Sequence, residues 1–169
     1  QNLVPLTSQG HKVLVPPHDD GFPLAEFYNK QTDRPDLLIY TDHLGKHAWP
    51  EGLEELDIPK VYYAVDTPIN FWWQKNFASL FDICYVDQKP YVNPLAARGM
   101  DARWLPVAVN TKAYQSQQEE ADKIYDFGFV GVVDEKVRAK RSRLVKQLSG
   151  RFSLKTMGDH QDGWAGPDA

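Results

Sequence analysis

Cysteine is almost missing from this chain: its 169 residues include one, Cys84. A single thiol excludes an internal disulfide, and it excludes zinc sites built on four cysteines or on two cysteines with two histidines. It fits a reducing compartment, so a cytoplasmic location is expected. Long apolar runs are missing too. The longest are a few residues, far below the roughly 20 that a membrane-spanning helix needs. Gln1 to Gly10 has neither the basic opening nor the apolar stretch of a signal peptide. Positive charge is not in excess: 19 Lys and Arg face 23 Asp and Glu, a net charge of -4 that argues against a basic nucleic-acid coat protein. The G-x-S-x-G elbow, the P-loop and HExxH are absent. What the chain does have is core material. At 42% hydrophobic and 12% aromatic it can bury enough surface to fold rather than stay disordered.

Short β-branched and aromatic runs alternate with helical segments, the pattern of an α/β protein whose parallel sheet carries helices on both faces. Seven strands are expected: His11 to Val15, Asp36 to Thr41, Lys60 to Val65, Ile83 to Val86, Arg103 to Pro106, Asp126 to Val130 and Phe152 to Thr156. Continuous apolar runs such as LLIY at 37–40 and VYYAV at 61–65 predict burial on both faces. Helices are expected at Leu24 to Lys30, Leu53 to Leu56, Asn70 to Leu80, Tyr91 to Arg98 and Glu135 to Ser149. The last has the fullest signals: Asp134 as N-cap, Val137, Leu144, Val145 and Leu148 on one face, and Gly150 placed for a left-handed C-cap.

Gln1 to Gly10 resembles the end of a helix entering a strand with no strand before it, which predicts an opening strand upstream of Gln1. The turn-rich GDHQDGWAGPDA after Thr156 likewise predicts a second domain that continues past Ala169. The polar stretch VNTKAYQSQQEEADK sets a boundary: a first domain over 1–110, a linker over 111–123 and the start of a second domain over 124–169. Charge shifts there as well. Residues 1–135 carry 11 basic and 20 acidic groups, whereas 136–155 carry 8 basic and no acidic ones.

Five stretches carry candidate chemistry. In YDFGFVGVVDEKVRAKRSRLVKQLSG a strand passes through Gly131 into a basic helix. Backbone N–H groups and the positive helix end there can hold phosphate, with Lys136, Arg138 and Arg141 in reach. The full GxGxxG pattern is absent, and a solvated basic helix face explains the same residues. Asp66 follows the strand VYYAV, Asp42 and His43 follow another, and His18 with Asp19 and Asp20 follows a third. Such groups at the carboxyl edge of a sheet can bind sugar hydroxyls or act as a general base, or they can simply cap turns. The run INFWWQKNF at 69–77 offers aromatic faces for a sugar ring, Trp72 among them, or for the core. No metal site is expected, because three adjacent residues such as HDD at 18–20 cannot all face one ion. Cys84, inside an apolar strand, is expected to be inert.

The segments IPKVYYAVDTP at 58–68, LFDICYVDQKPYVNPLAARGMDARWLPVAVNTKAY at 80–114 and YDFGFVGVVDEKVRAKRSRLVKQL at 125–148 together resemble the spore-maturation-protein-like glycosyltransferases of the GT-B fold. The resemblance covers roughly residues 35–157 and rests on the order and spacing of the segments. It implies two Rossmann-like domains, the first binding an acceptor and the second a nucleotide-sugar donor, with no metal and no further cofactor. By that resemblance Asp66 and His43 are the candidate catalytic groups and His18, Asp42 and Trp72 the candidate acceptor-binding ones. Gly131, Lys136 and Arg138 would hold the donor diphosphate. The acceptor would be a sugar, protein or lipid-linked hydroxyl, and nucleic acid is not an expected partner. Two alternatives stay open: a nucleotide-sugar epimerase of the same architecture, and a non-catalytic flavodoxin-like binding module.

Overall fold

The computed structural model describes residues 4–17, 21–42, 49–109, 123–136 and 138–158. The chain is mixed α/β and divides into two compact units, 1–108 and 109–169.

In the first unit a short helix α1 (Val4–Ser8) and helix α2 (Leu24–Asn29) precede strand β1 (Leu38–Thr41). Strand β2 (Lys60–Ala64), helix α3 (Thr67–Phe77), strand β3 (Ile83–Val86), helix α4 (Val92–Ala96) and strand β4 (Ala102–Trp104) follow. The four strands form one parallel sheet in the order β1-β2-β3-β4. Parallel strands joined by right-handed crossovers that always step the same way keep every crossover on one face. The core shows this. Leu24 and Ala25 of α2, Trp73 and Phe77 of α3 and Leu95 of α4 pack in one cluster with Tyr62, Ala64, Cys84 and Val86 of the sheet.

Aromatic rings set much of that cluster. Tyr62 stacks on Phe81 with centroids 5.2 Å apart, and Phe77 meets Tyr40, Tyr62 and Phe81 edge-on. The residues that alternate with these face the other way: Val61, Tyr63, Ile83 and Tyr85 are half-buried and Ile39 is exposed. Burial on both faces, expected from the continuous apolar runs, is therefore reached on one face. The runs are continuous, but the strand order contains no reversal that would send a crossover to the second face.

Two other expectations are corrected in this unit. Residues 11–15 belong to no strand ladder among the described residues, although HKVLV has strand composition. Pro16 and Pro17 follow and have no N–H to give a ladder. Helix α3 starts at Thr67, three residues earlier than expected, because Pro68 fits the first helical turn, where a missing N–H costs nothing.

Among its described residues the second unit holds one βαβ turn. Strand β5 (Phe127–Val130) leads to helix α5 (Ala139–Ser149) and returns to strand β6 (Leu154–Met157), parallel to β5. Helix α5 begins four residues later than expected. The Asp134 carboxylate accepts the Lys136 N–H at 2.7 Å and the Asp134 carbonyl accepts the Arg138 N–H at 2.8 Å, closing a turn before the helix. Gly150 ends the helix in a right-handed conformation, φ -81° and ψ -8°, not the left-handed cap expected.

The two sheets share one device. Asp82, just before β3, accepts the Lys60 N–H at the start of β2 at 2.7 Å. Asp126, just before β5, accepts the Ser153 N–H just before β6 at the same distance. Each aspartate thus pins two parallel strands in register at their amino ends.

Candidate functional site

The carboxyl edge of the first sheet is where open α/β sheets bind ligands. Strand register places Ala64, Val86 and Trp104 side by side, so the residues that follow β2 and β3 meet there. Asp66 is the N-cap of α3 and the one non-glycine with positive φ among the described residues, at φ 51° and ψ 36°. Its carbonyl accepts the Ile69 N–H at 3.0 Å and the Asn70 N–H at 3.2 Å, which starts the helix. Its own N–H is donated to the Asp87 carboxylate at 3.3 Å, and the Thr67 hydroxyl lies 3.5 Å from the other oxygen of that carboxylate. Asp87 therefore binds the end of β3 to the start of α3.

Trp104 completes this part of the edge. Its indole N–H is donated to the Asp87 carbonyl at 3.3 Å, the Lys89 ammonium sits 5.4 Å from its ring centroid, and the side chain is 50% exposed. On the opposite face of the sheet, the Tyr63 hydroxyl donates to the Leu105 carbonyl at 3.2 Å. The sequence reading missed Asp87, Lys89 and Trp104. The signal was present, since Asp87 follows ICYV just as Asp66 follows VYYAV, but only strand pairing brings the two acids together.

Asp42 lies at the same edge but is turned inward, 6% exposed. Its carboxylate accepts the Tyr62 hydroxyl at 2.6 Å, the Val65 N–H at 3.1 Å and a short hydrogen bond from the Gln74 amide. That charge and burial push the Tyr62 phenol far above its ordinary value, with burial the larger cause. Asp42 thus ties β1, β2 and α3 together from within. Trp72 is 70% exposed on the solvent side of α3, and six residues of helix place it roughly 9 Å along the axis from Asp66. The structure does not bring Trp72 to the edge where Asp66 stands. His18 and His43 lie outside the described residues.

In the second unit the turn after β5 has its own geometry. Gly131 has φ +152° and Gly158, at the end of β6, φ +112°. A Cβ on Gly158 would stand 3.0 Å from the Gly131 nitrogen and 3.2 Å from its carbonyl carbon and oxygen. The two strand ends can come this close because Gly158 has no Cβ. The Arg141 guanidinium donates to the Val132 carbonyl at 3.2 Å. Lys136 is exposed and Arg138 half-buried at the N-cap of α5. These residues share one turn between β5 and α5.

No group of three His, Cys, Asp or Glu among the described residues is arranged to hold a metal ion. No described helix is long and apolar enough to cross a membrane. Comparison with protein-family models, with curated proteins and with solved structures gives no match.

Proposed function

We propose that this chain carries an acceptor-side unit and a donor-side unit of a GT-B glycosyltransferase similar to the spore-maturation-protein-like family. The reaction moves a sugar from a nucleotide sugar to a hydroxyl on a sugar, protein or lipid-linked acceptor. The observation that carries this reading is the carboxyl edge of the parallel sheet, where Asp66, Asp87 and Trp104 gather at neighbouring strand ends. Carboxylates accept hydrogen bonds from sugar hydroxyls, and an indole face packs against the C–H face of a sugar ring.

In this reading Asp66 takes the proton from the acceptor hydroxyl as its oxygen bonds to the anomeric carbon. The bond from that carbon to the donor diphosphate breaks; in the second unit, taken by itself, the backbone N–H groups of the Gly131 turn with Lys136 and Arg138 are the candidates for holding a diphosphate. His43 is the second candidate for the base, and His18 and Asp42 remain candidates for holding the acceptor, whereas Trp72 stands on the outer side of α3 away from this edge. Asp42 would do so indirectly, by fixing the end of β1. The protein works in the cytoplasm without a metal.

The test is nucleotide release and thermal shift across a panel of nucleotide sugars, measured on the full-length protein. One nucleotide that raises the melting temperature, with slow release of its diphosphate, is the expected result. Conversion of the nucleotide sugar to an isomer without release points instead to the epimerase. A folded protein that binds none of them is a binding module. Asp66→Asn is expected to lower turnover by about 100-fold or more with an unchanged melting temperature; full turnover in that variant removes the assignment.

A further inference from the structure

The proposed reaction needs a place for a sugar ring, and Trp72, the aromatic residue that the sequence offers for it, stands on the outer side of α3. We propose that the hexopyranose subsite is instead built by Trp104, Asp87 and Lys89 at the carboxyl edge of β3 and β4, a reading that rests on the glycosyltransferase function above.

Three features make these residues a receptor for a sugar ring rather than a chance surface group. First, the indole is oriented. Its N–H is committed to the Asp87 carbonyl at 3.3 Å and one face lies under the Lys89 ammonium, which together restrain the ring while half of its surface stays open. A fixed aromatic plane offers the apolar C–H face of a pyranose a contact that loses little entropy on binding. Second, the Asp87 carboxylate has spare capacity. It receives the Asp66 N–H and the Thr67 hydroxyl, one on each oxygen, while a carboxylate offers about four lone-pair sites. The remaining lone pairs are suited to vicinal sugar hydroxyls, and hydrogen bonds to a charged acceptor are the stronger kind. Third, Lys89 is exposed, and its ammonium lies over one face of the indole, 5.4 Å from the centroid, on a flexible stem that can swing to the edge of a ring on the other face. It can donate to a ring hydroxyl beside the carboxylate, so the subsite holds an acceptor and a donor of hydrogen bonds next to one apolar plane. That combination matches a neutral polyhydroxylated ring better than an anion, which Asp87 would repel, or a purely apolar ligand.

The ring can belong to the acceptor or to the sugar of the donor. The full-length protein, labelled with nitrogen-15, is titrated with methyl β-D-glucopyranoside, N-acetylglucosamine, UDP and UDP-glucose while the indole N–H signals of its five tryptophans are followed. The Trp104 signal is assigned by its loss in Trp104→Phe. Saturable movement of this signal with the free sugars, while that of Trp72 stays still, places an acceptor ring there. Movement with UDP-glucose but with neither UDP nor the free sugars places the donor ring there.

Asp87→Asn is expected to weaken sugar binding about tenfold, and Lys89→Ala several-fold. Lys89→Ala leaves the Asp87 contacts with α3 in place, so it remains informative if Asp87→Asn folds poorly. A Trp104 signal unmoved by all four probes, or moved equally by UDP and UDP-glucose, overturns the subsite. Nucleotide binding and turnover with Trp104 unmoved would leave the glycosyltransferase standing and remove only this assignment. Sugar binding at Trp104 by a protein that takes no nucleotide would do the reverse.

Discussion

Three aspartates follow apolar strands in this chain, and the sequence gives them nearly the same surroundings, yet their fates differ. Asp42 is buried because Tyr62 and Gln74, 20 and 32 residues away, reach its carboxylate; Asp66 caps a helix and Asp87 braces that cap. Gln74 is fully buried, and its amide also donates to the Val65 carbonyl at 2.9 Å. Its amide oxygen has no hydrogen-bond partner among the described residues. A buried carboxylate that accepts three donors from the described residues alone should tolerate no loss of acceptor capacity. Asp42→Asn forces an amide N–H against one of those donors and is expected to cost about 3 kcal/mol in urea denaturation. Gln74→Met also gives up hydrogen bonds, but it removes an orphaned buried oxygen and leaves Asp42 with Tyr62 and Val65. Its expected cost is nearer 1 kcal/mol. Equal losses in the two variants would mean that Asp42 depends on Gln74 more than on the tyrosine and the backbone together. None of this was legible in the sequence, where an acid after a strand points to the edge and says nothing about which donors lie beneath it.

At the scale of elements, β2 and β3 were legible almost to the residue, because their β-branched and aromatic runs are bounded by proline or acid and no helical period competes. Residues 11–15 failed on the same evidence, since composition describes a strand whereas a ladder needs a partner. The start of α5 was missed for another reason: Asp134 has the chemistry of a helix cap but spends it on a turn, one of the local bonds that compete with helix. In the second unit the FGFVG segment contains two glycines of opposite character. Gly128 has open space where a Cβ would go, while a Cβ on Gly131 would meet the Phe129 ring at 3.2 Å, and the Gly131 backbone is what a Cβ on Gly158 would strike. Gly158→Ala should therefore destabilise by about 1–3 kcal/mol, from the positive φ and from contact with the Gly131 backbone. Gly128→Ala should stay within about 0.5 kcal/mol of the parent. Thermal melts of both variants decide this. A tolerated Gly158→Ala would show that the two strand ends can separate at little cost, and the Gly131 turn would lose its claim to a fixed geometry.

Across the first unit, the single buried core couples titration to folding. Burial pushes the Cys84 thiol up to about 12 from 9.0 and the Tyr40 phenol up to about 12 from 10.0, and the charge of Asp42 adds to both. Tyr62 moves the same way and further. The folded chain holds these protons more tightly than the unfolded chain does. Their contribution to stability is therefore fully present below the ordinary values of 9.0 and 10.0, and it is lost as pH rises from there toward about 12. Each such group costs about 1.4 kcal/mol per pH unit in that window, so three groups in one core should make alkaline unfolding steep. Tyrosinate absorbance from the buried phenols should appear together with the loss of far-ultraviolet circular dichroism, in one transition above pH 10 or so. Cys84 should react with a thiol reagent at pH 8 only as fast as the core opens, and at the rate of a free thiol once urea has unfolded the chain. Both readouts depend on one shared core. If Cys84 reacted quickly while the circular dichroism stayed intact, the β2–β3 region would open without the rest, and the carboxyl edge that carries Asp66, Asp87 and Trp104 would be a mobile surface rather than a preformed site.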